Sequence, residues 1–396
     1  MIGNSLAIIY TFAPYVDTAG IVFAKRINTE YKENFTVISC KPYSGAPEDE
    51  TLHKIISDSV SKTIEIDAKF TYRDWHHFSD FIDKSLESYK NELAAGTVYQ
   101  KIYSRSMSVI SHLVAYKIKC ITPELEWIAE FSDPIIKDVT GEDRETLIPE
   151  NWLKKNIDVS ELQAFKKYNN LFSLSEVLVY LYADKIVFTN SIQKEYMLSY
   201  FFNDLLNLSL KEALSTKIES KYIISKHPTL SSKYYERTSY SGDVDTTLIN
   251  IAYFGNINSR RSFSSFFDSW RMCDEKLITN FRLYIFSNIN SDKILSNVPL
   301  ELRKYVIVNK GLNYLDFLGS LKIFDYLLTV DTEVKDTLGV NPFLPSKISD
   351  YLGSTTKILA LIEKDSPTYY LNNSNILKFL INDFNSKDFH TIKNYS

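Results

Sequence analysis

Three observations predict an α/β chain built from two doubly wound halves. Short apolar runs of strand length alternate with helical segments along most of the sequence. The runs are continuously apolar, as parallel strands covered on both faces require. The alternation breaks at one polar stretch past the middle and then restarts. The length, 396 residues, suits two domains at roughly 150 residues each.

The elements follow in order. Leu6 to Thr11 is a strand, and the loop Phe12 to Gly20 ends it. Ile21, Val22, Ala24, Ile27 and Tyr31 recur at helical spacing, and Phe35 to Cys40 is a second strand. Lys62 to Ile66 reads as a strand and Trp75 to Leu93 as an amphipathic helix. Val98 to Ser104 is a strand ending in the polar loop Ser104-Arg105-Ser106. Ser111 to Lys119 is a helix, and Trp127 to Phe131 is a strand closed by Ser132-Asp133-Pro134. Residues 137–170 are polar and irregular and read as an insertion. Leu174 to Tyr182 is a helix, Lys185 to Thr189 a strand, and Ser191 starts another helix.

Residues 231–247 are polar and carry the domain boundary. The second series has strands at 249–254, 281–286, 306–308, 326–330 and 357–361, with helices at 264–273, 314–321 and 346–351. Asn375 to Phe384 reads as a short helix. The expected division is 1–230, a linker 231–247, 248–375, and a C-terminal helix or tail 376–396. In doubly wound sheets, ligands bind outside the carboxyl ends of the strands, here in a cleft expected between the halves.

Composition narrows the function. A net charge of −4 lacks the basic footprint of a general nucleic-acid binder. Cys40, Cys120 and Cys273 are far apart and make no zinc spacing, so reduced thiols are expected. The first ten residues lack a basic n-region and read as a buried strand, which favours a cytoplasmic protein. No P-loop, no dinucleotide glycine fingerprint and no nucleophile elbow is present. No His/Cys/Asp cluster has metal spacing, so no metal is expected.

The most informative stretch runs from Asn341 to Leu361. Pro345 fixes φ at a helix start. Ser346 and Lys347 then lie in the first turn, where backbone N–H groups favour an anion. A lysine there supplies a full positive charge for a phosphate. Asp350 follows three residues later on the same face, where a carboxylate can accept two ribose hydroxyls. An ordinary capped helix with a Lys–Asp pair would read the same way.

This stretch resembles the nucleotide-sugar motif of GT-B glycosyltransferases, in particular the retaining glycosyltransferase family 4, with its P-S-K-x-x-[ED]-Y-L pattern. Tyr253-Phe254-Gly255-Asn256 through Arg260-Arg261 resembles the glycine loop and arginine that follow the first strand of the second domain. Trp127-Ile128-Ala129-Glu130-Phe131-Ser132-Asp133-Pro134 resembles a signature of the first domain. Ala183-Asp184-Lys185 through Asn190-Ser191 resembles a segment before the interdomain region. Together they cover most of residues 1–362.

The resemblance implies a GT-B fold and transfer of a sugar, expected as a UDP-sugar, to a glycan, glycolipid or glycoprotein hydroxyl in polysaccharide biosynthesis. The nucleotide sugar is a co-substrate, and no cofactor is implied. It implies catalytic roles for His112, Asp133, Arg260 and Lys347. It implies donor contacts from Gly20, Asn190, Gly255, Asn256, Arg261, Pro345, Ser346 and Asp350. A non-catalytic scaffold of the same fold is the rival expectation. Asp243-Val244-Asp245 matches a metal motif of the other glycosyltransferase fold but lies before a strand, in the linker. The apolar stretch Tyr196 to Leu206, with Lys154, Lys155, Lys166 and Lys167 upstream, suits either a packed helix or contact with the inner membrane face for a lipid-linked acceptor.

Overall fold

A computed structural model describes residues 4–43, 45–106, 108–158, 162–206, 211–237, 240–257 and 263–395. The chain divides into two compact units, Met1–Pro228 and Thr229–Ser396.

Among the described residues, the first unit holds a seven-stranded sheet in the order β3-β2-β1-β4-β5-β6-β7, entirely parallel. The strands are β1 (Asn4–Ile8), β2 (Asn34–Cys40), β3 (Val60–Ile66), β4 (Lys101–Ser106), β5 (Glu126–Phe131), β6 (Lys185–Phe188) and β7 (Tyr222–Ile224). The second unit holds a six-stranded parallel sheet, β10-β9-β8-β11-β12-β13. Its strands are β8 (Ile249–Phe254), β9 (Phe281–Ser287), β10 (Val306–Lys310), β11 (Tyr326–Val330), β12 (Lys357–Ile362) and β13 (Ile376–Leu380). Strand order reverses between β1 and β4 in one sheet and between β8 and β11 in the other. A doubly wound sheet leaves a crevice at each such switch point.

The central strands are apolar on both faces and wholly enclosed: Leu6, Ala7 and Ile8 in β1, and Tyr326, Leu327 and Leu328 in β11. Each unit has its own core, one gathered around Trp127 and Phe131, the other around Trp270, Phe266 and Phe389.

Three expectations are corrected. Asn375 to Phe384 is not a helix: Ile376–Leu380 is a strand that pairs in parallel with β12, Ile358 opposite Ile376. A five-residue apolar run carries no decisive period. The helix near the C-terminus is Ser386–Tyr395. Ser104-Arg105-Ser106 is not a loop but the end of β4, facing Ala129, Glu130 and Phe131. Ser104 and Arg105 are tolerated there because Trp127, His112 and Glu130 supply partners. Residues 137–170 are not merely an irregular insertion. They include a helix, Glu150–Asn156, and bury Ile148, Leu153, Ile157, Leu162 and Phe165 in the first core. Finally, β7 lies in a stretch that the sequence reading left unassigned.

Candidate functional site

In the second unit, three elements converge on the carboxyl end of β8. The helix Lys347–Gly353 turns Tyr351 inward, where its hydroxyl accepts from the Phe254 N–H at 3.4 Å. The ring of Phe254 packs against Phe317 at 4.9 Å, from the helix Tyr314–Ser320 that follows β10. Gly255 comes next, at φ 147°, a conformation that side chains rarely allow. Asn256 is exposed; its Oδ1 accepts from Ser287 Oγ at 2.9 Å and its carbonyl from Tyr253 Oη at 3.1 Å. Gly255 and Asn256 therefore border the helix that carries the Ser-Lys turn. Arg260 and Arg261 lie outside the described residues.

The turn itself is tight. Ile348 N–H bonds to the Pro345 carbonyl at 3.1 Å and Ser349 N–H to the Ser346 carbonyl at 3.3 Å. The helix begins at Lys347, so Pro345 stands two residues ahead of it rather than at its first position. Pro345, Ser346 and Lys347 are half-buried.

Asp350 is 4 % exposed, and its Oδ1 accepts from Tyr314 Oη at 2.7 Å. Burial first, then the Asp350 charge, raises the Tyr314 phenol well above its ordinary value. Tyr314 thus remains a neutral donor to the carboxylate. Tyr235 is also buried, its hydroxyl against Gly353. It belongs to the stretch read as a linker, part of which packs into this unit.

In the first unit, the carboxyl edge of the sheet is dominated by an ionic cluster. Glu130 of β5 accepts from Arg26 Nη2 at 2.9 Å and Nε at 3.1 Å, and from the Tyr103 hydroxyl and Arg105. All four side chains are buried. Two guanidiniums share this carboxylate, and Arg26 also donates through Nη1 to Glu30 at 2.6 Å, which balances its charge from the solvent side. Arg105 lies within electrostatic reach of Asp133 and Asp17. Burial, the largest influence, lowers Arg105 to about 10.

Asp133 is exposed after β5. Gly20 sits in the helix Thr18–Thr29 and donates its N–H to Asp17 Oδ1 at 2.9 Å. Glycine is needed there because an added Cβ would lie 2.6 Å from the Thr11 carbonyl. Asn190 caps the helix Ser191–Tyr200 by accepting from Gln193 N–H at 2.8 Å.

The His112 ring is wholly buried, with Nδ1 at 2.8 Å from Ser104 Oγ and Phe131 at 5.2 Å between centroids. Ser104 Oγ also accepts from Trp127 Nε1 at 2.8 Å, so one hydroxyl ties the histidine to the tryptophan. Burial and then Arg105 push this imidazole down to about 3, so it is neutral at physiological pH.

Gly255, Asn256, Pro345, Ser346, Lys347 and Asp350 thus lie in the second unit, their segments linked through Phe254 and Tyr351, and Gly20, His112, Asp133 and Asn190 lie in the other. Sequence reading missed Arg26, Tyr103, Glu130 and Tyr314 as organisers. Glu130 stood inside the quoted Trp127–Pro134 signature; a charged residue in an apolar strand was the available signal.

In Asp243-Val244-Asp245, the Asp245 carboxylate closes a local turn with Thr247, accepting from its N–H at 2.9 Å. Among the described residues, no group of three or more His, Cys, Asp or Glu side chains could hold a metal ion. No described helix is long and apolar enough to cross a membrane.

No family model and no curated protein sequence matches the chain. Solved structures do. A glycosyltransferase from Rickettsia africae ESF-5 matches with a TM-score of 0.59 and 11% identity, over 99% of this chain and 88% of that one. WaaG, a glycosyltransferase involved in lipopolysaccharide biosynthesis, gives 0.56 and 9%, over 99% and 90%. A UDP-forming α,α-trehalose-phosphate synthase from Burkholderia xenovorans, in complex with glucose-6-phosphate, gives 0.56 and 7%, over 98% and 91%. At these identities the likeness speaks for the fold. Two parallel doubly wound sheets, matched across nearly the whole chain by these enzymes, give the protein the GT-B fold.

Proposed function

We propose that the chain is a glycosyltransferase. It moves a sugar from a nucleoside-diphosphate sugar, such as a UDP-sugar, to a hydroxyl of a glycan, glycolipid or glycoprotein, with retention and without a metal. The observation that carries the proposal is the Pro345-Ser346-Lys347 turn, on a helix packed through Tyr351 against the glycine-bearing end of β8. The shared fold supports it, as do the proteins with that fold, which include glycosyltransferases and a UDP-forming synthase.

In this mechanism negative charge develops on the departing diphosphate. Lys347 supplies a compensating charge, and the Ser346 hydroxyl a further donor. Gly255 lets the backbone approach the phosphates closely. Arg260 or Arg261 would add a guanidinium. Pro345 and Asn256 shape the walls, and Asp350 takes a ribose hydroxyl. Asp133 positions the acceptor hydroxyl, while Gly20 and Asn190 hold the loops of the donor side. His112, enclosed as it is, acts as a positioning residue through Ser104. We place the activity in the cytoplasm, at the inner membrane face when the acceptor is lipid-linked.

A panel of nucleoside-diphosphate sugars, assayed for released nucleoside diphosphate with and without chelator, tests the reading. Turnover of at least one donor is expected, unchanged by chelator. Lys347→Ala should cut it by about 10²-fold, on the order of 3 kcal/mol of transition-state stabilisation. A near-normal Lys347→Ala would end the phosphate role. One observation favours a non-catalytic scaffold: Asp350 is already engaged by Tyr314 inside the fold. Failure of every donor to bind or react would decide for it.

A further inference from the structure

Resting on the transferase reading, we propose that the loops after β1, β2 and β3 form an aromatic subsite for a neutral pyranose ring of the acceptor, stacked on Tyr72 and Tyr43. Both tyrosines project into solvent, 62 % and 59 % exposed, at the carboxyl edge of the sheet. Their shared neighbour is Phe70, 5.0 Å from Tyr72 and 6.1 Å from Tyr43 between centroids, edge-on in each case. Phe70 in turn stacks on the buried Tyr10 at 5.0 Å. The Tyr10 hydroxyl accepts from the Thr71 N–H at 3.0 Å, so the base of the cluster pins the loop that carries it.

The three loops are tied together. Val16 N–H bonds to the Pro47 carbonyl at 2.9 Å and Asp49 N–H to the Pro14 carbonyl at 2.7 Å. Thr71 Oγ1 accepts from Asp74 N–H at 2.9 Å, and Asp74 caps the following helix. Two large exposed rings are thus held on an ordered base, although water would normally favour their burial.

The chemistry of this edge selects the occupant. An aromatic face is electron-rich, and the C–H face of an all-equatorial pyranose carries the complementary partial charge. Asp17 lies within electrostatic reach of the Tyr72 hydroxyl, and Glu48 of the loop after β2 and Glu65 near the end of β3 lie within reach of Tyr15. Carboxylates accept from sugar hydroxyls but repel phosphate or carboxylate groups. Arg73, next to Tyr72 and within reach of Arg144, sets cations beside these carboxylates, so the edge carries both signs. Rings for the apolar face and a rim of both signs suit a neutral sugar, whose hydroxyls both donate and accept.

Saturation-transfer NMR on the full chain tests this, with methyl β-D-glucopyranoside, glucose 6-phosphate and UDP as separate probes. The glucopyranoside should receive saturation at its ring C–H protons. Tyr72→Ala and Tyr43→Ala should each weaken it by about fivefold, with Tyr72→Phe close to the parent. Asp17→Asn, which can still cap its helix, should weaken it less. A glycoside that fails to bind, or that binds Tyr72→Ala as well as the parent, overturns the subsite. Preference for glucose 6-phosphate overturns its neutral character. UDP binding reports on the transferase reading separately: its loss with the Tyr72-dependent signal intact would sink that reading and spare the subsite.

Discussion

Arg26 meets Glu130 in a bidentate pair, Nη2 at 2.9 Å and Nε at 3.1 Å, inside the first unit. Arg26 also donates to Ser225 Oγ at 2.7 Å, which fastens the chain just after β7 to the helix Thr18–Thr29. Removing the two partners is not equivalent. Without Arg26, the Glu130 carboxylate keeps Arg105 and a neutral pair remains. Without the carboxylate, buried Arg105 loses its ionic partner and Arg26 keeps only the exposed Glu30, at 2.6 Å. Glu130→Gln should therefore cost about 3–5 kcal/mol and Arg26→Gln clearly less. Urea denaturation of both variants checks this; equal losses would mean that charge count does not govern the cluster.

Two buried groups set opposing pH dependences. Burial pushes His112 down to about 3 and Glu176 up to about 8. Between pH 3 and 6.5 the unfolded state binds more protons at His112, so this residue makes stability rise with pH. Between pH 4.5 and 8 the native state binds more at Glu176, so that one makes stability fall. Each slope is about 1.4 kcal/mol per pH unit, so the two cancel from pH 4.5 to 6.5. Glu176→Gln should uncover the histidine: stability should then rise by about 2 kcal/mol from pH 5 to 6.5. A profile as flat as the parent's in that window would refute the assignment.

Much of the fold was legible because parallel strands write themselves as continuous apolar runs. Ile249–Phe254 and Tyr326–Val330 have the bounds that the sequence reading set. What escaped was decided by tertiary partners. Arg105 reads as a loop residue until Glu130 is opposite it across the ladder. Ile376–Leu380 reads as helix until β12 supplies its hydrogen bonds. The site divides the same way. The Ser346-Lys347 turn is local and could be read from spacing. The burial of Asp350 depends on Tyr314, 36 positions away, and no spacing announces it.

Gly20 should tolerate no side chain. Its backbone angle is helical, so the constraint is space rather than conformation. The atom in the way is the Thr11 carbonyl oxygen, part of the main chain, which cannot swing aside as a side chain would. Gly20→Ala should destabilise the first unit by about 1–3 kcal/mol through forced displacement. Thermal denaturation measures it, and a variant as stable as the parent would show that the helix start can shift freely.

Asp350 can serve the nucleotide, the fold or both, and a thermodynamic cycle separates these. Tyr314 donates to Oδ1, and a ribose hydroxyl would add a further donor to the same carboxylate. A hydrogen bond to a charged group contributes roughly 1.5–3 kcal/mol. If that bond is made to the donor, Asp350→Asn should raise the donor KM more than it lowers kcat, because ribose is held alike in ground and transition states. A 2′-deoxyribose donor should lose similar affinity with the parent and little more with Asp350→Asn. Tyr314→Phe supplies the control. It removes the phenol that fixes the carboxylate and should destabilise the unit by about 1 kcal/mol. The penalty for the deoxy donor should remain, because the carboxylate is still there. Fully additive losses from Asp350→Asn and the deoxy donor would mean that Asp350 never touches ribose, and that its whole contribution passes through Tyr314 into the packing of the second unit.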